Sequence, residues 1–444
     1  MLLDRLYREH VRELETRAAR VISAHGFDAV VVHSGSPSKR SRYDDQYWPL
    51  RACPHFLYWV PLPQPDCALI VRPGNRSKVL RPIVTNFWEK PPPLETEAFA
   101  DEVDVVAVRD ATEAERKRHV GGGRVAFIGE DRAIAGAWGI ADEDACPPDL
   151  LRAFDALRAT KTPYEVACVA EANRRAKAGH EALRSAFAAG DASELDLHLL
   201  YLKATAQDDS DTPYKNIVAL GANAATLHHV AYGRLPHGRA AESLLVDAGA
   251  TCRGYGSDIT RTWTKGSGAA ATTFAQLVTE IDRMQRRLCA AMRTGGAFEQ
   301  LHDESHRQVA DVLCTVGIVR GTAEEALARG TTRAFYPHGL GHSLGLQTHD
   351  VGCGLRPPRG DNPFLRNTSE AAAGQIVTIE PGVYFIETLL AELRAAAHGS
   401  TVDWRLVEAL APLGGVRVED DIHVLDDGIR NLTREHLPLG GGTA

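Results

Sequence analysis

The stretch Ser243-Leu244-Leu245-Val246-Asp247-Ala248-Gly249-Ala250-Thr251-Cys252-Arg253-Gly254-Tyr255-Gly256-Ser257-Asp258-Ile259-Thr260-Arg261-Thr262 decides how the chain is read. An apolar, strand-like run ends on an acid, Asp247. Gly254 and Gly256 permit a tight turn, because glycine has no Cβ to clash in left-handed backbone. Residues 257–262 then read as a return strand carrying a second acid, Asp258. A hairpin of this length brings Asp247 and Asp258 side by side. Two close carboxylates repel, and both stay ionised only where a cation neutralises them. Taken singly, each acid has a plainer explanation as a turn residue at a strand end.

Three further segments extend the pattern. Pro337 to His349 sets His338, His342 and His349 among glycines, and imidazole is the commonest neutral metal ligand. No strand–turn–helix context surrounds these glycines, so they do not make a dinucleotide-binding fingerprint. Thr378-Ile379-Glu380-Pro381 and Val416-Arg417-Val418-Glu419-Asp420 each place a Glu after or within an apolar run. A buried strand has no reason to carry Glu unless it is paired or metal-bound. Alone, each Glu reads as a salt bridge. Together, two Asp, two Glu and one His supply four negative charges, the balance of two divalent cations. Such oxygen-rich ligation favours Mn²⁺ or Co²⁺ over a thiolate-type zinc site.

The bulk properties narrow the function class. The chain has 444 residues, 44% apolar and 24% charged. At roughly 150 residues per domain this gives two or three domains of ordinary soluble composition. A core of that size needs no metal or disulfide staple, so a metal here serves chemistry. The net charge of −8 argues against a nucleic-acid partner, and the triplet Arg116-Lys117-Arg118 reads as a solvated face. Eight cysteines with no C-x-x-C pair suit reduced thiols and a cytoplasmic home. No run approaches the ~18 apolar residues of a membrane span, and residues 1–25 lack a signal-peptide core.

Periodicity divides the chain in two. Val11, Leu14, Ala18, Val21 and Ile22 form a helical face that Gly26 ends. Strand-like runs follow at Ala29 to His33, Cys67 to Val71 and Val125 to Ile128, the last after the glycine run 121–123. Residues 90–150 are rich in Pro, Asp and Glu and give no clear pattern. Thr162-Pro163-Tyr164-Glu165 is a capping box that starts a helix ending near Gly190. Further helices start at Ser193, near Thr273 and at Phe298, among strands at 243–247, 260–264, 376–379 and 416–418. The glycine-rich tail, 440–444, is expected to be disordered.

Asp247, Asp258, His342, Glu380 and Glu419 match the five-ligand pattern of the pita-bread metallopeptidases. Within that group the chain resembles the bacterial Xaa-Pro dipeptidases (prolidases) and their relatives, the organophosphorus acid anhydrolases. The stretches 43–49 (Tyr-Asp-Asp-Gln-Tyr-Trp-Pro), 212–218 (Thr-Pro-Tyr-Lys-Asn-Ile-Val) and 385–391 (Phe-Ile-Glu-Thr-Leu-Leu-Ala) carry the closer match. The resemblance implies an α/β (α+β) chain: a creatinase-like N-terminal domain, 1–158, and a pita-bread catalytic domain, 159–444. It implies two divalent ions, Mn²⁺ foremost, with Asp258 and Glu419 bridging, Asp247 on one ion, and His342 and Glu380 on the other.

Further roles follow from the same resemblance. A water or hydroxide between the metals attacks the scissile carbonyl, and Glu380 shuttles its proton to the leaving proline nitrogen. His228, His338 and His349 stabilise the oxyanion, hold the carbonyl or bind the carboxylate. Arg417 either holds Asp247 or contacts the substrate carboxylate, and Tyr214 lines the pocket. Asp45, or Asp44, reads the free amine from a neighbouring subunit of a homodimer. Thr260 is expected to hydrogen-bond Asp258. His229 and Asp421 depart from the family's usual Tyr and Asn. The long segment between Glu380 and Glu419, with helical patterns in 387–415, restricts the site to short substrates. The implied activity is release of proline from Xaa-Pro dipeptides, with phosphotriester hydrolysis as a side activity. The alternatives are an Xaa-Pro aminopeptidase acting on longer peptides and a non-catalytic binding protein.

Overall fold

The computed structural model describes residues 2–84, 87–88, 90, 96–110, 112–114, 123–236 and 241–444. The triplet 116–118 and residues 121–122 of the glycine run lie outside them. The chain divides into two compact units, Met1–Ala167 and Cys168–Ala444.

The first unit opens with the helix Leu2–Ala24, which buries Tyr7, Val11, Leu14, Ala18 and Ile22. Steps of three and four residues put these on one face. The sheet beside it contains β1 (Ala29–His33), β2 (Ala68–Val71), β3 (Lys78–Pro82), β4 (Asp104–Val108) and β5 (Val125–Ile128), in the order β4-β3-β2-β1-β5. β1 and β2 are buried at every position, so they read as continuous apolar runs. β3 is interrupted by Lys78 and Arg81, whereas β4 carries the apolar run Val105 to Val108 yet is mostly exposed. β4 is an edge strand with only its last residue buried, so its apolar run is not a sign of a buried strand. The capping box is present: Thr162 N–H donates to Glu165 Oε2 at 2.8 Å, at the start of the helix Pro163–Ala189.

The second unit is built on three sheets and a hairpin. One sheet is β6 (Ile217–Leu220), β7 (Ser243–Asp247), β10 (Thr260–Thr264) and β16 (Gly441–Thr443), in the order β16-β10-β7-β6. Another is β11 (Ile376–Ile379), β14 (Asp420–Leu425) and β15 (Gly428–Asn431). β12 (Gly382–Tyr384) pairs with β13 (Gly415–Arg417), and β8 (Thr251–Cys252) with β9 (Tyr255–Gly256). The helices Ala269–Ala291 and Phe298–Thr315 pack a core in which Phe274, Ile281, Leu288 and Leu313 meet Val377, Ile379, Val416 and Ile422. The first of these helices starts four residues before Thr273, because Ala269-Ala270-Ala271 are strong helix formers.

The tail corrects an expectation. Residues 441–443 are not free but pair in parallel with β10, Thr262 opposite Gly441. A Cβ on Gly441 would lie 2.1 Å from Thr262 O, and one on Gly440 2.0 Å from Asp282 Oδ1. The glycines permit close backbone approach rather than marking disorder.

Four enclosed histidines fix a pH dependence. Burial pushes His10 down to about 4, His180 to about 3, His302 to about 4 and His306 to about 3. His10 sits between Thr162 Oγ1 (2.8 Å) and Tyr58 O (2.7 Å). His180 Nε2–H donates to Ala248 O at 2.9 Å. Folded imidazoles with depressed pKa values stay neutral while the unfolded ones take up protons from about pH 6.5 downward, so stability falls as pH falls. Each unit of depression is worth about 1.4 kcal/mol. Thermal melts between pH 8 and pH 4 should therefore show a Tm that declines once pH drops below about 6.5. A flat profile from 6.5 to 4 would contradict this assignment.

Candidate metal centre

The hairpin that opened the sequence reading is built by its backbone. Arg253 and Gly254 both have positive φ (51° and 89°) and turn the chain between β8 and β9. Gly256 serves a different purpose, since a Cβ there would lie 2.8 Å from Pro213 Cβ. Gly249 lies against the returning strand, where a Cβ would meet Ser257 O at 1.9 Å. The closed hairpin puts Asp247 opposite Thr260, and Ala248 N–H donates to Ile259 O at 3.0 Å. Asp247 Oδ2 accepts from Arg417 Nη2 at 2.6 Å, while its buried Oδ1 has no hydrogen-bond partner among the described residues. Asp258 is buried, and its N–H donates to the Asp421 carboxylate at 3.1 Å.

His342 comes from the histidine-rich segment lying against β11. Its N–H donates to Thr378 Oγ1 (3.1 Å) and its carbonyl accepts from Thr378 N–H (2.9 Å). Gly341 makes this approach possible, since a Cβ there would lie 2.0 Å from Thr378 O. His342 Nδ1–H donates to Ser343 O at 3.1 Å, which aims Nε2 at Asp258 Oδ2 (3.4 Å) and Glu380 Oε1 (3.5 Å). A backbone carbonyl on one ring nitrogen is the usual way to orient the other as a ligand. Asp258, His342 and Glu419 each offer a ligand atom within 4.8 Å of one another. Glu380 adjoins this trio through His342, and Asp247 is turned toward Arg417.

The electrostatics explain what the cluster needs. Burial raises Glu380 to about 7, against the opposing pull of His342 and Arg417. Burial, then the charges of Asp258, Glu380 and Asp247, raises Glu419 well above the carboxylate range. Asp247 is raised by burial as well. Burial alone would lower His342, but its hydrogen bond to Asp258 and the nearby carboxylates hold it at about 9. Four acids thus share one guanidinium and one imidazole, and they cannot all ionise without further cations. The bare Asp247 Oδ1, the aimed Nε2 and this charge deficit all fit divalent ions.

The expected supporting residues separate into distinct roles. Arg417 donates to Asp247, to Thr260 Oγ1 (3.1 Å) and to Tyr384 OH (3.0 Å), so of its two expected roles it fills the first. Thr260 corrects an expectation, because its hydroxyl donates to Glu419 Oε2 at 2.5 Å and not to Asp258. The backbone bridge between Thr260 and Glu419 sets that partner. His338 donates from Nδ1 to Gly339 O (2.8 Å) and accepts Tyr384 OH at Nε2 (2.7 Å). His349 stands edge-on to His342, ring centroids 4.5 Å apart. His228 is exposed, and neither His228 nor His349 hydrogen-bonds a described residue. Tyr214 OH is buried beside the Asp247 and Asp258 carboxylates, and burial and their charges push it well above its ordinary value. His229 Nε2 contacts Glu194 Oε2 at 2.8 Å, which gives that departure a structural use. Asp44 and Asp45 belong to the other unit, where both carboxylates accept from Gln46, at 2.9 and 3.3 Å.

Sequence reasoning missed two features. Arg261, fully buried, donates to the carbonyls of Thr260 (2.9 Å) and Glu419 (2.8 Å) and to Asp420 (2.8 Å). An arginine inside a β-branched, strand-like run, Thr260 to Thr264, was the available signal. Arg366 is exposed and has no ion-pair partner among the described residues, yet its charge helps burial and His342 push His349 down to about 4. Nothing in its spacing marks it.

Glu380 gives the metal-free protein a pH signature. Its carboxyl is ionised above about 4.5 when unfolded but stays protonated to about 7 when folded, so its contribution to stability is lost as pH rises through 7. Divalent ions remove that loss. The rise in Tm on adding Mn²⁺ to chelator-treated protein should therefore be larger at pH 7.5 than at pH 5.5. An equal or smaller rise at pH 7.5 would overturn the charge-deficit account.

Residues 167–426 match the family described as metallopeptidase family M24, and residues 5–155 match the Xaa-Pro dipeptidase N-terminal domain. The chain is 37% identical over 442 residues to an Xaa-Pro dipeptidase of Pseudoalteromonas atlantica, covering 98% of each chain. It is 40% identical over 428 residues to an Xaa-Pro dipeptidase of Marinobacter nauticus, covering 96% of this chain and 97% of the relative. Zinc-substituted Escherichia coli aminopeptidase P, solved in complex with product, matches with a TM-score of 0.73 at 22% identity, over 98% of this chain and 97% of that one. That likeness shows the fold, an N-terminal α/β domain followed by a pita-bread domain. The match along most of its length, and relatives of 37% and 40% identity along nearly all of it, establish that the chain belongs to metallopeptidase family M24, among its Xaa-Pro dipeptidases.

Proposed function

We propose that the chain hydrolyses Xaa-Pro dipeptides to release free proline, using two divalent ions, Mn²⁺ foremost, held by Asp247, Asp258, His342, Glu380 and Glu419. The observation that carries this is the cluster of four buried acids around one aimed imidazole, with too little positive charge of its own. Asp258 and Glu419 would serve both ions, Asp247 would hold one, and His342 and Glu380 would hold the other. Bound ions of this kind polarise a carbonyl and lower the pKa of water toward neutrality.

The chain's own residues supply the remaining steps. Glu380 takes a proton from the attacking water and delivers it to the proline nitrogen, which carries no hydrogen of its own in the peptide bond. His349 and His228, with ring nitrogens uncommitted to described residues, hold the substrate's carbonyl and carboxylate oxygens. His338 acts one step behind, ordering Tyr384 and through it Arg417. Tyr214 lines the pocket beside Asp247 and Asp258, whose charges act on its hydroxyl. A dipeptide's free carboxylate needs a cation, and the hydrogen bonds of Arg417 are already committed within the site. Arg366, near enough to act on His349, fits that need.

The wider assembly belongs to the same reading. The N-terminal domain, 1–158, makes a homodimer, and its Asp45 or Asp44 reads the substrate ammonium in the neighbouring subunit. Eight free thiols suit a cytoplasmic enzyme. The same site attacks phosphotriesters as a side activity.

An assay on Ala-Pro, Ala-Pro-Ala and a p-nitrophenyl phosphotriester tests these statements together. Ala-Pro should be cleaved fastest, the triester slowly, and the tripeptide scarcely. Chelation should abolish turnover, and added Mn²⁺ should restore it. Glu380→Ala should lower kcat by about 10²–10⁴-fold. Arg366→Ala should raise KM for Ala-Pro with kcat little changed, and Arg366→Lys should recover part of that loss. Robust release of alanine from the tripeptide would favour an aminopeptidase instead. If Asp44→Ala and Asp45→Ala both leave the dipeptide KM unchanged, the subunit-crossing role is wrong.

A further inference from the structure

A second cluster of reactive groups lies in the N-terminal unit. Cys53 immediately precedes the short helix Pro54–Leu57, and its Sγ lies 3.9 Å from His55 Nδ1, at the long end of sulfur hydrogen bonds. His55 Nε2 lies 2.8 Å from Asp155 Oδ1, on the helix Pro148–Ala159. Asp155 accepts the Nε2 proton, so the ring presents Nδ1 to the thiol. A nucleophile, a base and a carboxylate that orients the base are the parts of an activated nucleophile.

The surroundings favour reactivity at this thiol over several others. Cys53 itself is buried, whereas the His55 and Asp155 side chains beside it are 15% and 26% exposed, so the thiol lies behind a partly open His–Asp pair. Burial lowers His55, but its hydrogen bonds to Asp155 and Cys53 more than offset this, and Arg158 on the same helix adds positive charge nearby. Burial holds Cys67 up at about 12 and pushes Cys289 and Cys314 upward. Cys146 donates its S–H to Gly129 O at 3.1 Å.

We propose that Cys53, His55 and Asp155 form a reactive-thiol site for small, uncharged, soft electrophiles such as alkyl halides and α,β-unsaturated carbonyls. With an alkyl halide, the thiol proton passes to His55 Nδ1, the sulfur forms a bond to carbon, and halide leaves. Thiolate is the attacking species, and an ordinary thiol supplies only about 1% of it at pH 6.5. The site stands apart from dipeptide hydrolysis and does not depend on it.

Timed iodoacetamide labelling of the full-length protein at pH 6.5, read by peptide mass spectrometry, tests this. Cys53 should label at least tenfold faster than Cys146 and Cys314. Asp155→Asn and His55→Gln should each slow Cys53 about tenfold while leaving the two reference thiols unchanged, with folding checked by circular dichroism. A purely structural tie between His55 and Asp155 predicts the opposite, because loosening it would expose Cys53 and speed its labelling. Labelling of Cys53 no faster than the references, or a rate unchanged or raised in Asp155→Asn, would overturn the proposal.

Discussion

Arg417 ties its own strand to three others of the catalytic unit with one side chain. It leaves β13, meets Asp247 at the end of β7 at 2.6 Å, Thr260 on β10 at 3.1 Å and Tyr384 on β12 at 3.0 Å. β7 and β10 belong to one sheet and β12 and β13 to another, so the two sheets meet at a guanidinium. Arginine suits the position because its planar fork donates in several fixed directions and stays charged when buried. Removing one partner of such a buried pair leaves an uncompensated charge and costs about 3–5 kcal/mol. The remaining acids have only the His342 imidazole to share, and that shortage of positive charge is what fits the site to cations.

Three consecutive acids show how placement divides one residue type into three uses. Glu419 accepts from Thr260 and faces Asp258 and His342. Asp420 turns the other way and accepts from Arg261 (2.8 Å), Arg434 (2.6 Å) and Asn431 (2.9 Å), which hold it down to about 2 despite burial. Asp421 accepts from Asn173 Nδ2 (2.7 Å) and from the Asp258 N–H (3.1 Å), so the departure from Asn stands directly behind Asp258. Alternation along an extended chain sends neighbours to opposite sides. Arg261, gripping the Glu419 carbonyl and the Asp420 side chain together, fixes that alternation in place.

The long segment between Glu380 and Glu419 is part of the core rather than a flap over it. Its helices Glu387–Ala395 and Trp404–Leu410 bury Leu390, Leu393, Val407 and Leu410 against the two long helices of the unit. The segment joins β12 to β13, and so it also sets where Tyr384 and Arg417 meet. A change there would reach Asp247 and Thr260 through Arg417.

The local parts were legible along the chain: the capping box at Thr162, the hairpin carrying Asp247 and Asp258, the apolar strands ending on Glu380 and before Glu419, and the count of charges that calls for cations. Each is written in neighbouring residues, as turn chemistry, period or burial. The partners became visible only in the folded chain. Thr260 and Glu419 are 159 positions apart, and no local pattern could choose Glu419 over Asp258 for that hydroxyl. Arg417 had two plausible duties until Asp247, 170 positions away, occupied it. The glycine tail read as disorder because glycine's close-approach use is visible only once Thr262 and Asp282 lie beside it. The opening hairpin was legible because its two strands are close in sequence. What its acids bind to was not, because those contacts are made by strands that meet only in the folded chain.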